Sequence, residues 1–87
     1  MPAVKEKLSA VLSFPKEITL DLPIVQAIGR NEVSIENYKS LLEFSDEVIR
    51  VRTKDGIMAV EGSGLILRHV TVESILISGK ILGIIYS

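Results

Sequence analysis

The sequence has no cysteine and no tryptophan, only two Phe and two Tyr, and a single histidine among 87 residues. Without cysteine there is no disulfide to staple a small core, no thiolate nucleophile and no cysteine-based zinc site. That composition is compatible with a reducing compartment. One histidine, His69, excludes a His-pair metal site, and no serine stands in a nucleophile-elbow motif. An excess of one charge is also missing. Ten basic residues stand against 11 acidic ones for a net charge of -1, which lacks the electrostatic footprint of a nucleic-acid binder. Mean hydropathy is high at +0.39, yet Arg68, His69, Glu73 and Lys80 interrupt the apolar runs. None reaches the ~18–20 residues of a membrane-spanning helix. The opening MPAVKEKLSAVLSF mixes charges of both signs with spaced apolar residues, so it does not read as a signal peptide.

What the chain does have is a dense series of short β-type segments from Val48 to Tyr86. VIRVRT alternates, with Ile49, Val51 and Thr53 on one side and Arg50 and Arg52 on the other. A period of two marks a half-buried strand. Lys54-Asp55-Gly56 follows and favours a tight hairpin. Then come IMAVEG, the turn-like Gly62-Ser63-Gly64, LILRHVTV and ILISGKILGIIY. The G-x-G at Gly62 is not a dinucleotide fingerprint, because Leu67 occupies the third glycine position and no helix is expected after it.

Upstream, Ala3 to Ser13 reads as a short amphipathic helix with the stripe Val4, Leu8, Val11 and Leu12, stopped by Pro15. Ile18, Leu20 and Leu22 alternate with Thr19 and Asp21 in an expected first strand that Pro23 ends or bends. Ile24 to Ile28 resumes as a strand and Gly29-Arg30-Asn31 turns it. Val33 to Tyr38 and Leu41 to Phe44 give two more strands, joined by a turn over Asn37 to Ser40, and Ser45-Asp46-Glu47 is again turn chemistry.

The fold class expected is mainly β: a small antiparallel meander, rolled sheet or sandwich of about seven to eight short strands, with one short N-terminal helix. A single domain should span 1–87, with the helix at 3–13 and the β region at 17–86. A short β-solenoid is the alternative, because Val60-Glu61-Gly62 and Ile77-Ser78-Gly79 repeat a punctuation. Ile49, Val51, Met58, Val60, Leu65, Leu67, Val70, Ile75, Ile77, Ile81 and Ile84 form the inward set, with parity slips between Leu67 and Val70 and near Gly83 that require bulges.

The opposite face is the unusual feature. Besides Arg50, Arg52 and Glu61 it carries Ile57, Ala59, Ile66, Leu76, Leu82 and Ile85. Antiparallel sheets open to water on one side alternate apolar with polar, and those covered on both faces do not. The N-terminal helix, another layer of the same chain, or a second protein is therefore expected over that face. The carboxylates are scattered through turns and polar positions, which gives no catalytic constellation and no expectation of an enzyme, a cofactor or a metal. One candidate polar site remains, built from Asp21, Glu36 and Asn37, and bonding to nearby turn backbone would also account for those residues. A small-ligand or ion-binding β domain is thus the alternative to an interaction protein.

Phe14-Pro15-Lys16-Glu17, Leu20-Asp21-Leu22-Pro23, the Gly29 turn and Ile35-Glu36-Asn37-Tyr38 together resemble the opening of the YabP/YqfC family of sporulation proteins, closest to its YqfC branch. The order continues with the Arg-rich strand Val48 to Thr53, the segment Gly56 to Gly62, and the ending Ile77 to Tyr86. Phe14, Tyr38 and Ser40 depart from the family pattern, and Ile57, Ala59, Leu76, Leu82 and Ile85 are apolar where relatives usually look polar. The resemblance implies a non-enzymatic protein of endospore-forming bacteria, made in the mother-cell cytoplasm and linked to spore coat or envelope assembly. It also implies a membrane-associated sporulation partner, which would bring the chain to the periphery of the forespore membrane, while the apolar second face and the small core lead to the expectation of a homo-oligomer. No catalytic or cofactor residues come with the resemblance.

Overall fold

A computed structural model of the chain describes residues 21–87. The expected helix at 3–13 and the strand segment before Asp21 lie outside the described residues; Asp21 and Leu22 themselves form a turn. Six strands follow in one antiparallel sheet: β1 (Ile24–Ile28), β2 (Glu32–Glu36), β3 (Tyr38–Phe44), β4 (Val48–Thr53), β5 (Gly56–Arg68) and β6 (Ser74–Tyr86). Their order across the sheet is β1-β2-β6-β5-β4-β3. Pro23 stands immediately before β1, where its missing N–H costs the ladder nothing.

Six strands are described against the expected seven to eight, because the expected break at Gly62-Ser63-Gly64 is absent and the expected strand ahead of Pro23 lies mostly outside the described residues. β5 and β6 are 13 residues each, and β5 runs straight through Gly62-Ser63-Gly64. Those glycines do not reverse the chain. Gly62 lets β5 pass close to β6, since a Cβ there would collide with the Lys80 carbonyl oxygen and lie 2.9 Å from Leu65 Cδ2, while Gly64 takes a left-handed φ of 62° within the bulged stretch. The parity slip near Gly83 is present as a bulge, with Leu82 the extra residue between the pairs Gly62↔Ile81 and Glu61↔Gly83. A second bulge places one extra β5 residue between Ser63↔Lys80 and Ile66↔Ser78. The slip between Leu67 and Val70 is a chain reversal instead. β5 ends at Arg68, His69 takes a φ of 50°, and the loop closes on Thr71, whose hydroxyl accepts from the Glu73 and Ser74 amides at 3.2 and 2.9 Å.

The long β5–β6 hairpin serves two halves of the sheet. β2 pairs along the first half of β6 (Val33↔Ile77, Ile35↔Ile75), and β4 along the first half of β5 (Ile49↔Val60, Val51↔Met58). Where the hairpin bulges, neighbouring turns take up its amides. Gly62 and Leu65 donate to the carbonyls of Glu47 and Asp46 at 3.0 and 2.9 Å, and Gly79 and Ile81 donate to those of Asn31 and Arg30 at 3.0 and 2.7 Å. Buried N–H groups left by the bulges are thereby satisfied.

The sheet cannot be flat. β2 and β3 are four places apart in the sheet order, which in a flat sheet means about 19 Å at ~4.8 Å per strand. Yet Asn37 alone joins them, and two residue steps reach no more than ~7 Å. The sheet therefore rolls until its two halves face one another. The expected Asn37–Ser40 turn shrinks to that one residue, whose φ of 66° makes the corner and which is one of the residue types that tolerate the left-handed region. The pairing is antiparallel throughout, so the outcome is the rolled sheet and not the stacked parallel rungs of a solenoid. One core fills the roll: Val33, Ile35, Ile49, Val51, Met58, Val60, Leu65, Ile75, Ile77 and Ile81, with Val25, Tyr38, Leu67 and Ile84 packed against it. Of the expected inward set only Val70 falls outside, 55% exposed in the β5–β6 loop.

Candidate interaction surface

The outward residues of β5 and β6 fall into cross-strand rows. On one half, Glu43, Arg50, Ala59 and Ile85 lie side by side across β3, β4, β5 and β6. Arg50 Nε reaches Glu43 Oε1 at 3.3 Å, an exposed pair of the kind that contributes little to stability. On the other half, Ser34, Leu76 and Arg68 form one row and Glu32, Ser78 and Ile66 the next.

The six apolar candidates do not behave alike. Leu82, Ile66 and Ile85 are 68%, 51% and 48% exposed. Ile57 and Leu76 are half-buried. Ala59 is only 7% exposed; its small side chain lies between cross-strand neighbours Arg50 and Ile85 and is floor, not contact surface. Leu82 owes its prominence to the bulge, which turns an extra residue outward. The same region holds one buried hydroxyl without a partner among the described residues, Ser78 Oγ.

A second apolar area was not anticipated. β3 exposes Leu41, Leu42 and Phe44, although Leu41 and Phe44 pair with core residues Val51 and Ile49 and so lie on the inward side. β3 is an edge strand, so the core's flank is open there among the described residues. The sequence carried a signal for it, since Leu-Leu-Glu-Phe breaks strict alternation at the register shift between Leu41 and Glu43.

The candidate polar residues gather at the β2–β3 corner, but as braces. The Asn37 amide donates to the Glu73 carbonyl at 2.6 Å, and Asn37 Nδ2 donates to the Leu22 carbonyl at 2.9 Å. Tyr38 adds a hydroxyl bond to the Thr71 carbonyl at 2.6 Å. Asp21 lies 3.6 Å from Lys39 Nζ, both half exposed, while Glu36 borders an open depression with Thr71, Val72, Glu73 and Ser74. Three chain segments are thus tied to one corner by hydrogen bonds that satisfy backbone groups. Asn37→Ala should cost about 2 kcal/mol, from the lost bond and the left-handed φ, and Asn37→Gly about 1 kcal/mol, from the bond alone. Urea denaturation of both variants checks this ordering; equal stabilities would mean that the corner imposes no left-handed backbone.

Among the described residues no helix is long and apolar enough to cross a membrane. Comparison with known proteins gives a family match to the YabP family over residues 23–87, which takes in all six strands. Uncharacterized protein YqfC of Bacillus subtilis (strain 168) is 32% identical over 78 residues, 90% of this chain and 84% of that protein. These two matches show that the chain belongs to the YabP/YqfC family.

Proposed function

We propose that this chain is a non-enzymatic interaction module of endospore formation, working in the mother-cell cytoplasm by association through its β surface. It assembles with copies of itself or docks on a membrane-associated sporulation protein, and so reaches the periphery of the forespore membrane. The observation that carries this reading is the exposure of Ile66, Leu82 and Ile85 on the outer side of the two central strands. Exposed aliphatic groups on the outside of a small domain favour a protein contact, and so short a chain has little core to spare for covering them. The sporulation setting comes from the family. Near-balanced charge argues against nucleic acid as the partner.

Light scattering across a dilution series tests it. The full chain should show a mass above that of one copy, falling with dilution, or should bind its membrane-associated partner when mixed with it. Ile66→Glu combined with Leu82→Glu should abolish the association on this face while leaving the β circular dichroism intact. A strict monomer whose melting point rises with an added metal ion or metabolite would favour the ligand-binding alternative.

A further inference from the structure

We propose that two copies of this chain pair through β3, edge to edge and antiparallel about Leu41, into one continuous sheet related by a two-fold axis. The inference rests on the association reading above and assigns a surface, a register and an occupant to one of its contacts. β3 ends the sheet order, so its outer side carries backbone groups without a strand neighbour among the described residues, a ready template for a further strand. It is also the edge with most to bury, since Leu41, Leu42 and Phe44 are all exposed. The other edge, β1, exposes one large apolar side chain, Ile28, and has no charged residue to fix a register.

The sequence of β3 supplies the occupant. It reads Tyr-Lys-Ser-Leu-Leu-Glu-Phe from Tyr38 to Phe44. Placed antiparallel against itself with Leu41 on the axis, Lys39 of each copy faces Glu43 of the other. Tyr38 then faces Phe44, and Leu41 faces its own equivalent. Opposite charges and aromatic pairs directly across an antiparallel ladder are favourable, and like charges there are not. A two-fold contact uses the same patch twice, so each complementary pair occurs twice. The bulges of β3 lie in its pairing with β4, and its other side is the one offered to the second copy. Pairing at β3 leaves the outer face of β5 and β6 free for the partner.

Within one copy Lys39 approaches Asp21 and Glu43 approaches Arg50, and charge reversal separates those contacts from a contact between copies. Lys39→Glu or Glu43→Lys alone sets like charges opposite each other at both pairs, and each should weaken the dimer about ten-fold or more. The double variant Lys39→Glu with Glu43→Lys disrupts both internal pairs yet restores complementarity between copies, so its dimerisation should return to near the wild-type level. Mixing the two single variants should give a heterodimer, visible by native mass spectrometry with one variant isotopically labelled. Circular dichroism checks that each variant is folded. Single variants that dimerise like wild type, or a double variant weaker than both, would overturn the β3 contact while leaving association through the β5–β6 face standing. A wild-type chain that stays a monomer at every concentration, with β3 shielded by the chain's own residues 1–20, would overturn this pairing and self-association together.

Discussion

Gly79→Ala is expected to lower the melting point by ~15 °C or more, and Gly62→Ala to leave little folded protein at 37 °C. At Gly79 two penalties add. Its φ of 139° is one that L side chains rarely adopt, and a Cβ there would lie 2.7 Å from the Gly64 carbonyl oxygen and 3.0 Å from Leu65 Cα. Backbone strain of that kind costs ~1–3 kcal/mol, and overpacking against backbone costs a similar amount. In a domain of this size each kcal/mol shifts the melting point by roughly 4–8 °C. Gly62 has no unusual φ, but a methyl group there meets the Lys80 carbonyl carbon at 3.1 Å in addition to its oxygen. Neither atom can move without opening the crossing of β5 and β6, and total stability is only ~5–15 kcal/mol. Thermal melts at one fixed protein concentration measure both effects. Melting points within a few degrees of wild type would mean that the strands do not cross so closely.

Ile77→Ala should cost about 3–4 kcal/mol, the range for a large aliphatic truncated in a packed core. Ile77 has no exposed surface and lies at the centre of the sheet, paired with Val33 on one side and Leu67 on the other. Leu82→Ala, five residues further along the same strand, should change monomer stability by less than ~0.5 kcal/mol, because that side chain is 68% exposed. The contrast is the useful measurement. Urea titrations with equal slopes would place the whole difference in stability and not in a change of the unfolded state. If Leu82→Ala proved as costly as Ile77→Ala, the outer face would be a second core and not a contact surface. Association adds a concentration-dependent share to any such value, so the comparison belongs at matched, dilute protein.

Much of this arrangement can be read from residue order, and the misses have identifiable physics. Ile49, Val51, Met58, Val60, Ile75 and Ile77 are inward by alternation alone, since a period of two leaves a strand only two ways to face. The Lys54-Asp55 hairpin is equally plain, although its positive φ falls on Gly56 and not on Asp55. Gly62-Ser63-Gly64 misleads because glycine serves close approach as readily as reversal, and only the position of β6 decides between them. The Asn37 corner was hidden for a related reason: a single left-handed residue does the work for which four were expected. At the candidate surface, outward parity identified Leu82, Ile66 and Ile85, but it could not foresee that Ala59 is covered by its neighbours. It also missed β3, whose inward side chains stay open because edge strands are flanked on one side only.

The pairing of β2 with β6 sets the order in which this molecule can assemble. Ile35 meets Ile75 only after a loop of about forty residues has closed, an entropic cost the hairpins do not carry. β5 with β6 and β4 with β5 are near neighbours in the chain and are expected to form first. On a ribosome the β1–β2 hairpin would emerge with the far edge of β2 unpaired and its apolar side uncovered, and wait for β6. For that interval the nascent chain is most dependent on chaperones and most prone to trapping by its siblings.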